Sequence, residues 1–266
     1  MLYFSSQLNT PKYKPAADRV FAALDLFNIK YKLLNNTKDI WLRDFMPVKT
    51  KSGKYISFRY KPSYLDNYDE LRTDFRNEVV PNLALENLVF SDINFDGGNV
   101  AFSPSKEKVI ISDRVYSENP SWHKAELTAK LAKLLEANVI IIPSLKSDMT
   151  GHADGMVRFV DENTVVTNAP LSPYGFETKV KKSLQKYGFN VIDFPYFYSK
   201  GDSAVGCYLN YLAMEKSIFL PVFGVATDNE AIELAKNIFD KTIIQVNINE
   251  IAKYGGLLNC ISWEFE

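Results

Sequence analysis

A single cysteine, Cys260, stands near the end of the sequence, behind Gly255-Gly256 and the run Leu257-Leu258-Asn259. Alone it says little, because free cysteine packs like a small hydrophobe. It has to be weighed with His152 and with the acids Asp44, Asp96 and Asp154. A thiol and an imidazole are the components of an activated nucleophile. Three carboxylates beside them raise a thiol's pKa, which obstructs attack on a neutral or anionic acyl group. They suit a substrate that brings its own positive charge. A planar guanidinium offers donors that match carboxylates in bidentate fashion, and its arrival helps create the thiolate that attacks it.

Each residue also has an ordinary reading. Asp44 beside Arg43 reads as a simple salt bridge, Asp96 before Gly97-Gly98 as turn chemistry, and His152 as a structural histidine. His123 lies in the amphipathic stretch Ser121 to Ala137 and reads as part of a solvated face, and Cys207 beside Tyr208 reads as core. For Trp41, packing beside a cation and simple core filling are equally open.

The elements that must position these residues repeat. Helix-like stretches open near Pro15, Tyr68, Ser121, Tyr174 and Thr227, at intervals of 53 residues. Asn67 with Glu70 and Thr227 with Glu230 have capping-box spacing, and Ser172-Pro173 puts proline at an expected first helical position. A β-rich run follows each: Lys30 to Leu34, Asn87 to Ser91, Asn138 to Ile142, Asn190 to Phe194 and Thr242 to Val246. Tyr55 to Tyr60, Val109 to Asp113 and Thr164 to Asn168 read as further strands by β-branched and aromatic content. The repeating unit is strand, strand, helix, strand, five times over, and a closed ring buries its faces most economically.

The polar clusters recur in register with these units. They are Trp41-Leu42-Arg43-Asp44, Phe95-Asp96-Gly97-Gly98-Asn99, Gly151-His152-Ala153-Asp154-Gly155, Gly206 to Asn210, and Gly255 to Cys260. In a ring of equivalent modules, equivalent positions converge. Asp44, Asp96, His152, Asp154 and Cys260 are therefore expected in one pocket, with glycines where backbones approach each other or a ligand.

Composition narrows the remainder. The 266 residues carry 31 basic and 32 acidic side chains without a single-sign block, against the basic footprint of a nucleic-acid binder. A 46% hydrophobic share with 14% aromatics describes an ordered globular chain. The first residues turn polar too soon for a signal-peptide core, and no apolar run approaches a membrane span, so a soluble, cytoplasmic protein is expected. Two cysteines make no disulfide framework, though one bridge stays open, and with two histidines they argue against a structural zinc site. Gly201 to Gly206 has one residue too many for a nucleophile elbow, and no Walker loop or dinucleotide fingerprint occurs. No composition shift divides the chain, so residues 1–266 are read as one domain of five modules.

Taken in order, Trp41-x-Arg43-Asp44, Asp96-Gly97-Gly98, Gly151-His152-x-Asp154 and Gly255-Gly256-x-x-x-Cys260 resemble the guanidine-modifying (pentein) enzymes, in particular the bacterial-type peptidylarginine deiminase and agmatine deiminase branch. Asp113-Arg114 and Pro221 through Ala231 also look like segments of that family. The resemblance implies a five-fold pseudosymmetric α/β propeller of ββαβ modules, and hydrolysis without metal or other cofactor. It makes Cys260 the nucleophile, His152 the proton donor and acceptor, and Asp96 the residue that orients His152. Asp44 and Asp154 would grip the guanidinium, with Trp41 and Gly256 in the substrate site. The partner would be a small cationic guanidine such as agmatine, arginine or peptidyl-arginine, and the product a ureido compound such as citrulline or N-carbamoylputrescine. Amidino transfer or dihydrolysis in the same superfamily is the nearest alternative. A non-catalytic scaffold would need none of the five residues, and an ordinary thiol amidase would not place its thiol among acids. Asp96 stands where these deiminases usually carry glutamate, and Asn259 where agmatine deiminases often carry histidine. The choice of guanidine and the oligomeric state are left open.

Overall fold

The computed structural model describes residues 1–265. Its fold is mixed α/β, with five three-stranded sheets of one design. In each, the middle strand runs antiparallel to one neighbour and parallel to the other. The middle strands are Leu2–Ser5, Tyr55–Arg59, Lys108–Ser112, Thr164–Asn168 and Ser217–Val222. Their parallel partners are Tyr31–Leu34, Leu88–Asn94, Asn138–Ile142, Asn190–Phe194 and Thr242–Asn247. The middle strands read as near-continuous apolar runs because both faces are covered; Leu2 to Ser5 and Ser217 to Pro221 are wholly buried.

A parallel pair needs a long crossover, and in four sheets that crossover is an α-helix. Lys14–Leu26 buries Ala16, Ala17, Val20 and Leu24, then stops where Asn28 turns left-handed and Ile29 N–H closes on the Leu24 carbonyl. Lys124–Leu135 buries Leu127, Leu131 and Leu135, one residue per turn. Phe176–Lys186 and Thr227–Ile238 complete the set. His123 is the exposed residue just before its helix, in line with the solvated reading.

The second sheet departs from the repeat. Instead of the helix expected near Tyr68, its crossover is a string of short 3-10 turns and a five-residue π turn, Phe75–Val79. One local and one distant force defeat the helical spacing of Tyr68, Leu71, Phe75 and Val79. Asp69 and Asp74 spend their carboxylates on Arg72 and on the Asn77 amide, the competition that disfavours these residues inside helices. Thr73, buried, accepts the Lys38 N–H, and this long-range bond fixes an extended link between two turns. The Asn67–Glu70 capping box therefore does not form.

Two other start signals also shift. Thr227 is the first residue of its helix and makes no capping bond; Asp228 instead pins the loop leading in, its carboxylate accepting the N–H groups of Phe223, Gly224 and Val225 and the Tyr208 hydroxyl. The helix after Ser172-Pro173 begins only at Phe176. Among the described residues no helix is long and apolar enough to cross a membrane.

The two chain ends share a sheet. Ser262–Glu264 supplies the antiparallel neighbour of Leu2–Ser5, which holds the segment just after Cys260 against the first strand. In the other four sheets the antiparallel neighbours are Val48–Lys49, Ala101–Phe102, Val157–Phe159 and Leu212–Ala213. Every polar cluster read from the sequence lies immediately before one of these five short strands. That shared position is what the register of the repeats encoded.

Candidate active site

Asp44 sits on a helical turn, Leu42–Phe45, seated by the buried side chains of Leu42 and Phe45. Arg43 is not its partner, contrary to the simple salt-bridge reading. The Arg43 side chain donates to the Asn259 carbonyl at 3.2 Å, and its backbone N–H donates to the Cys260 carbonyl at 3.0 Å. Arg43 thus fastens the cysteine loop to the Asp44 turn.

His152 lies between two acids. Its Nε2 is 2.8 Å from Asp96 Oδ2 and its Nδ1 is 3.4 Å from Asp44 Oδ1. Gly97 and Gly98 make this approach possible. A Cβ on Gly98 would stand 2.5 Å from both Asp44 Oδ1 and His152 Nδ1, and one on Gly97 would stand 2.1 Å from the Arg43 carbonyl oxygen. The glycine pair is a packing requirement of the His–Asp contacts, beyond any turn chemistry.

Asp154 faces the cysteine. Its Oδ2 accepts amide donors from Asn210 at 3.0 Å and Asn259 at 2.7 Å, and Cys260 Sγ is 3.7 Å away. Asn210 also accepts the Cys260 backbone N–H through Oδ1 at 3.3 Å. Asn99 accepts N–H groups from Ala153 and Ser112, fixing the turn that carries His152 and Asp154. The sequence reading quoted all three asparagines inside its clusters and gave them no role; their recurrence at module-equivalent positions was the available signal. Tyr64, which donates to Asp96 Oδ2 at 3.1 Å, carried no such signal.

Asp44, His152, Asp154 and Cys260, with Tyr64 and Asn210, line one cavity of about 500 Å³. Asp96, expected in the same pocket, stands behind His152 and does not line it. Trp41 is part of the cavity wall and packs on Gly256, where a Cβ would lie 2.4 Å from an indole carbon. Gly256→Ala must displace that ring, and an overpacking cost of ~1–3 kcal/mol is expected in thermal or denaturant unfolding. An unchanged midpoint would show that the indole moves freely. Cys207 packs against the largest core cluster and also lines the cavity, half-buried, with its thiol donating to the Gly155 carbonyl.

The electrostatics follow from burial and crowding of acids. Burial pushes Asp44 up to about 8; protonated His152 opposes this, while Asp96 and Asp154 add to it. Burial disfavours the His152 imidazolium, but Asp44 and the hydrogen-bonded Asp96 outweigh it and raise the imidazole to about 10. Burial, then Asp154 and Asp44, drive the Cys260 thiol well above its ordinary range. Asp44 Oδ1 is buried without a hydrogen-bond partner. Such an orphan acceptor costs ~1–3 kcal/mol, and a cationic N–H donor in the cavity would relieve it. The free site thus favours a protonated thiol and leaves one buried Asp44 oxygen without a donor.

Residues 8–265 match the sequence model of the Porphyromonas-type peptidyl-arginine deiminases. The chain belongs to that family. Its enzymes hydrolyse C–N bonds, and the related solved structures are members of the pentein superfamily. A Cys-to-Ser variant of C. jejuni agmatine deiminase with substrate bound superposes with a TM-score of 0.75 at 17% identity, covering 98% of this chain and 92% of that one. Agmatine deiminase of Enterococcus faecalis gives 0.76 at 16% identity over the same shares, 98% and 92%. DDAH from Pseudomonas aeruginosa, in a complex with citrulline, gives 0.64 at 14% identity over 99% and 98%. In sequence, an E. faecalis protein named provisionally as an agmatine deiminase is 33% identical over 63 residues, 23% of this chain and only 17% of its own length.

Proposed function

We propose that the chain is a guanidine deiminase, built as a single five-module α/β propeller over residues 1–266 whose polar clusters meet at the axis. The observation that carries the reading is the cavity itself, which joins a thiol, an imidazole held between Asp44 and Asp96, and the further buried acid Asp154. Family membership supports the reaction class.

In this reading Asp44 and Asp154 grip the guanidinium nitrogens. The added positive charge favours the Cys260 thiolate, the thiol proton passing to solvent, and the thiolate attacks the central guanidinium carbon and forms a C–S bond. His152, held by Asp96, gives a proton to one nitrogen of the tetrahedral adduct. Its C–N bond breaks and ammonia departs, leaving an S-linked thiouronium. His152 then takes a proton from water as the oxygen adds to the same carbon, and the C–S bond breaks to return the thiolate. The sum is guanidine plus water to ureido product plus ammonia.

The lining supports a substrate without a free carboxylate. Asp39, Asp44, Asp148, Asp154, Glu177 and Asp202 line the cavity against Lys12 and His152, and among the described residues no arginine does. Agmatine, with an ammonium tail, fits this field better than free arginine. The test is ammonia release from agmatine, arginine, blocked peptidyl-arginine and short guanidino acids. Agmatine is expected to exceed arginine at least tenfold in kcat/KM, a difference of ~1.4 kcal/mol. Silence across the panel from folded protein would reject the reading.

A pH dependence follows from Asp44. Its carboxyl is raised to about 8 in the free site, and a bound guanidinium favours its ionised form. Binding therefore releases a proton, so KM should fall as pH rises from 6 toward 8 and level off above. A KM that is flat or rises across that range would mean Asp44 does not meet the cation.

A further inference from the structure

We infer that Tyr64 is a positioning residue for the acid–base pair, its hydroxyl setting how tightly Asp96 holds the His152 imidazole. The inference rests on the deiminase reading for its kinetic consequence, but its geometry stands without it. Tyr64 lies in the crossover that has no α-helix, the one place where the repeat is broken. That irregular stretch supplies the cavity wall with Tyr60, Tyr64, Leu65, Tyr68 and Leu71. A regular helix over these residues would follow the pattern of the other four crossovers. The broken one brings a phenol into the site.

Two contacts fix Tyr64 there. Its hydroxyl donates to Asp96 Oδ2 at 3.1 Å, the same oxygen that lies 2.8 Å from His152 Nε2. Its ring meets the imidazole edge-on with centroids 6.3 Å apart. Burial, and then Asp96, hold the phenol well above its ordinary pKa, so it stays a donor throughout the working range. The groups facing the pair are Asp44 on the far side of the imidazole, Asp154 and Cys260 beyond it, and the Tyr60 hydroxyl beside Tyr64.

The physical effect has a definite sign. A donor to a carboxylate stabilises its charge and spreads it over two hydrogen bonds. Asp96 relieved of Tyr64 places all of that charge on His152, so the imidazolium loses its proton less readily. Proton transfer to the leaving nitrogen then slows, because an acid works best when its pKa is near the operating pH.

The experiment compares Tyr64→Phe, which keeps the ring, with 3-fluorotyrosine at position 64, whose more acidic phenol donates more strongly. Only two histidines exist in the chain, and His123 is exposed on the surface, so nitrogen NMR resolves the His152 titration without any turnover. Tyr64→Phe is expected to move that titration upward by roughly half to one pH unit. It should lower kcat about tenfold, with KM within about twofold. The fluorinated residue should move the titration the other way. A titration unchanged in both variants would overturn the inference, whatever the activity. So would a rise in KM with kcat intact, which would place Tyr64 on the substrate instead. Failure of the deiminase reading would appear separately, as no turnover by the wild type with the titration shifts still present.

Discussion

Cys260→Ala removes ammonia release from every guanidine in the panel, lowering kcat by about 10⁴-fold or more, as loss of a covalent nucleophile does elsewhere. The fold stays intact because the loop is held by groups that the substitution leaves alone. The Cys260 backbone is bonded to the Asn210 side chain and to the Arg43 N–H, and Ser262 ties back to the Leu258 carbonyl. A half-buried thiol is small, so its loss costs ~1 kcal/mol or less in unfolding. The variant should still bind substrate, since Asp44, Asp154 and His152 are untouched. Ammonia release at even a tenth of the wild-type rate by folded Cys260→Ala would remove the mechanism outright.

Asp154→Asn is the second large effect, with kcat/KM expected to fall by about 10³, near 4 kcal/mol of transition-state stabilisation. The substitution is nearly isosteric. One amide oxygen can still accept from Asn210 and Asn259, which donate to Asp154 Oδ2 at 3.0 and 2.7 Å. The new amide nitrogen must then point toward the cavity, where it opposes guanidinium N–H donors. A charge-assisted clamp becomes a donor–donor clash. Both KM and kcat should suffer, because the proposed clamp puts Asp154 on the substrate and it lies 3.7 Å from Cys260 Sγ. Removing this charge also lowers the thiol's pKa, so Cys260 in the free variant should react faster with iodoacetamide. Wild-type kinetics in Asp154→Asn would refute the clamp.

Much of this site was legible because it repeats. The clusters were found by register, and each proved to precede the short antiparallel strand of its sheet. The strand over 138–142 matched its expected bounds because its uninterrupted β-branched run leaves few alternatives, and the one over 190–194 matched as well. Illegible were features decided by distant contacts. Nothing local in Tyr68 to Val79 announces that Thr73 will bond the Lys38 backbone, and the helical spacing there was overridden. Arg43 stood next to Asp44 in sequence, yet its reach to Asn259 depends on a loop more than 200 residues away. Tyr64 joined Asp96 only through that same irregular crossover. Cys207 looked like core from its neighbours, and its second place, in the cavity wall, is a property of packed modules and not of its own segment.

The most direct test of the central claim is intact-protein mass spectrometry after acid quench during turnover of agmatine. A covalent Cys260 intermediate predicts an adduct equal to substrate less ammonia, carried by the peptide containing Cys260 and missing in Cys260→Ala. Steady ammonia release with no adduct on Cys260, or with the adduct on Cys207, would contradict it.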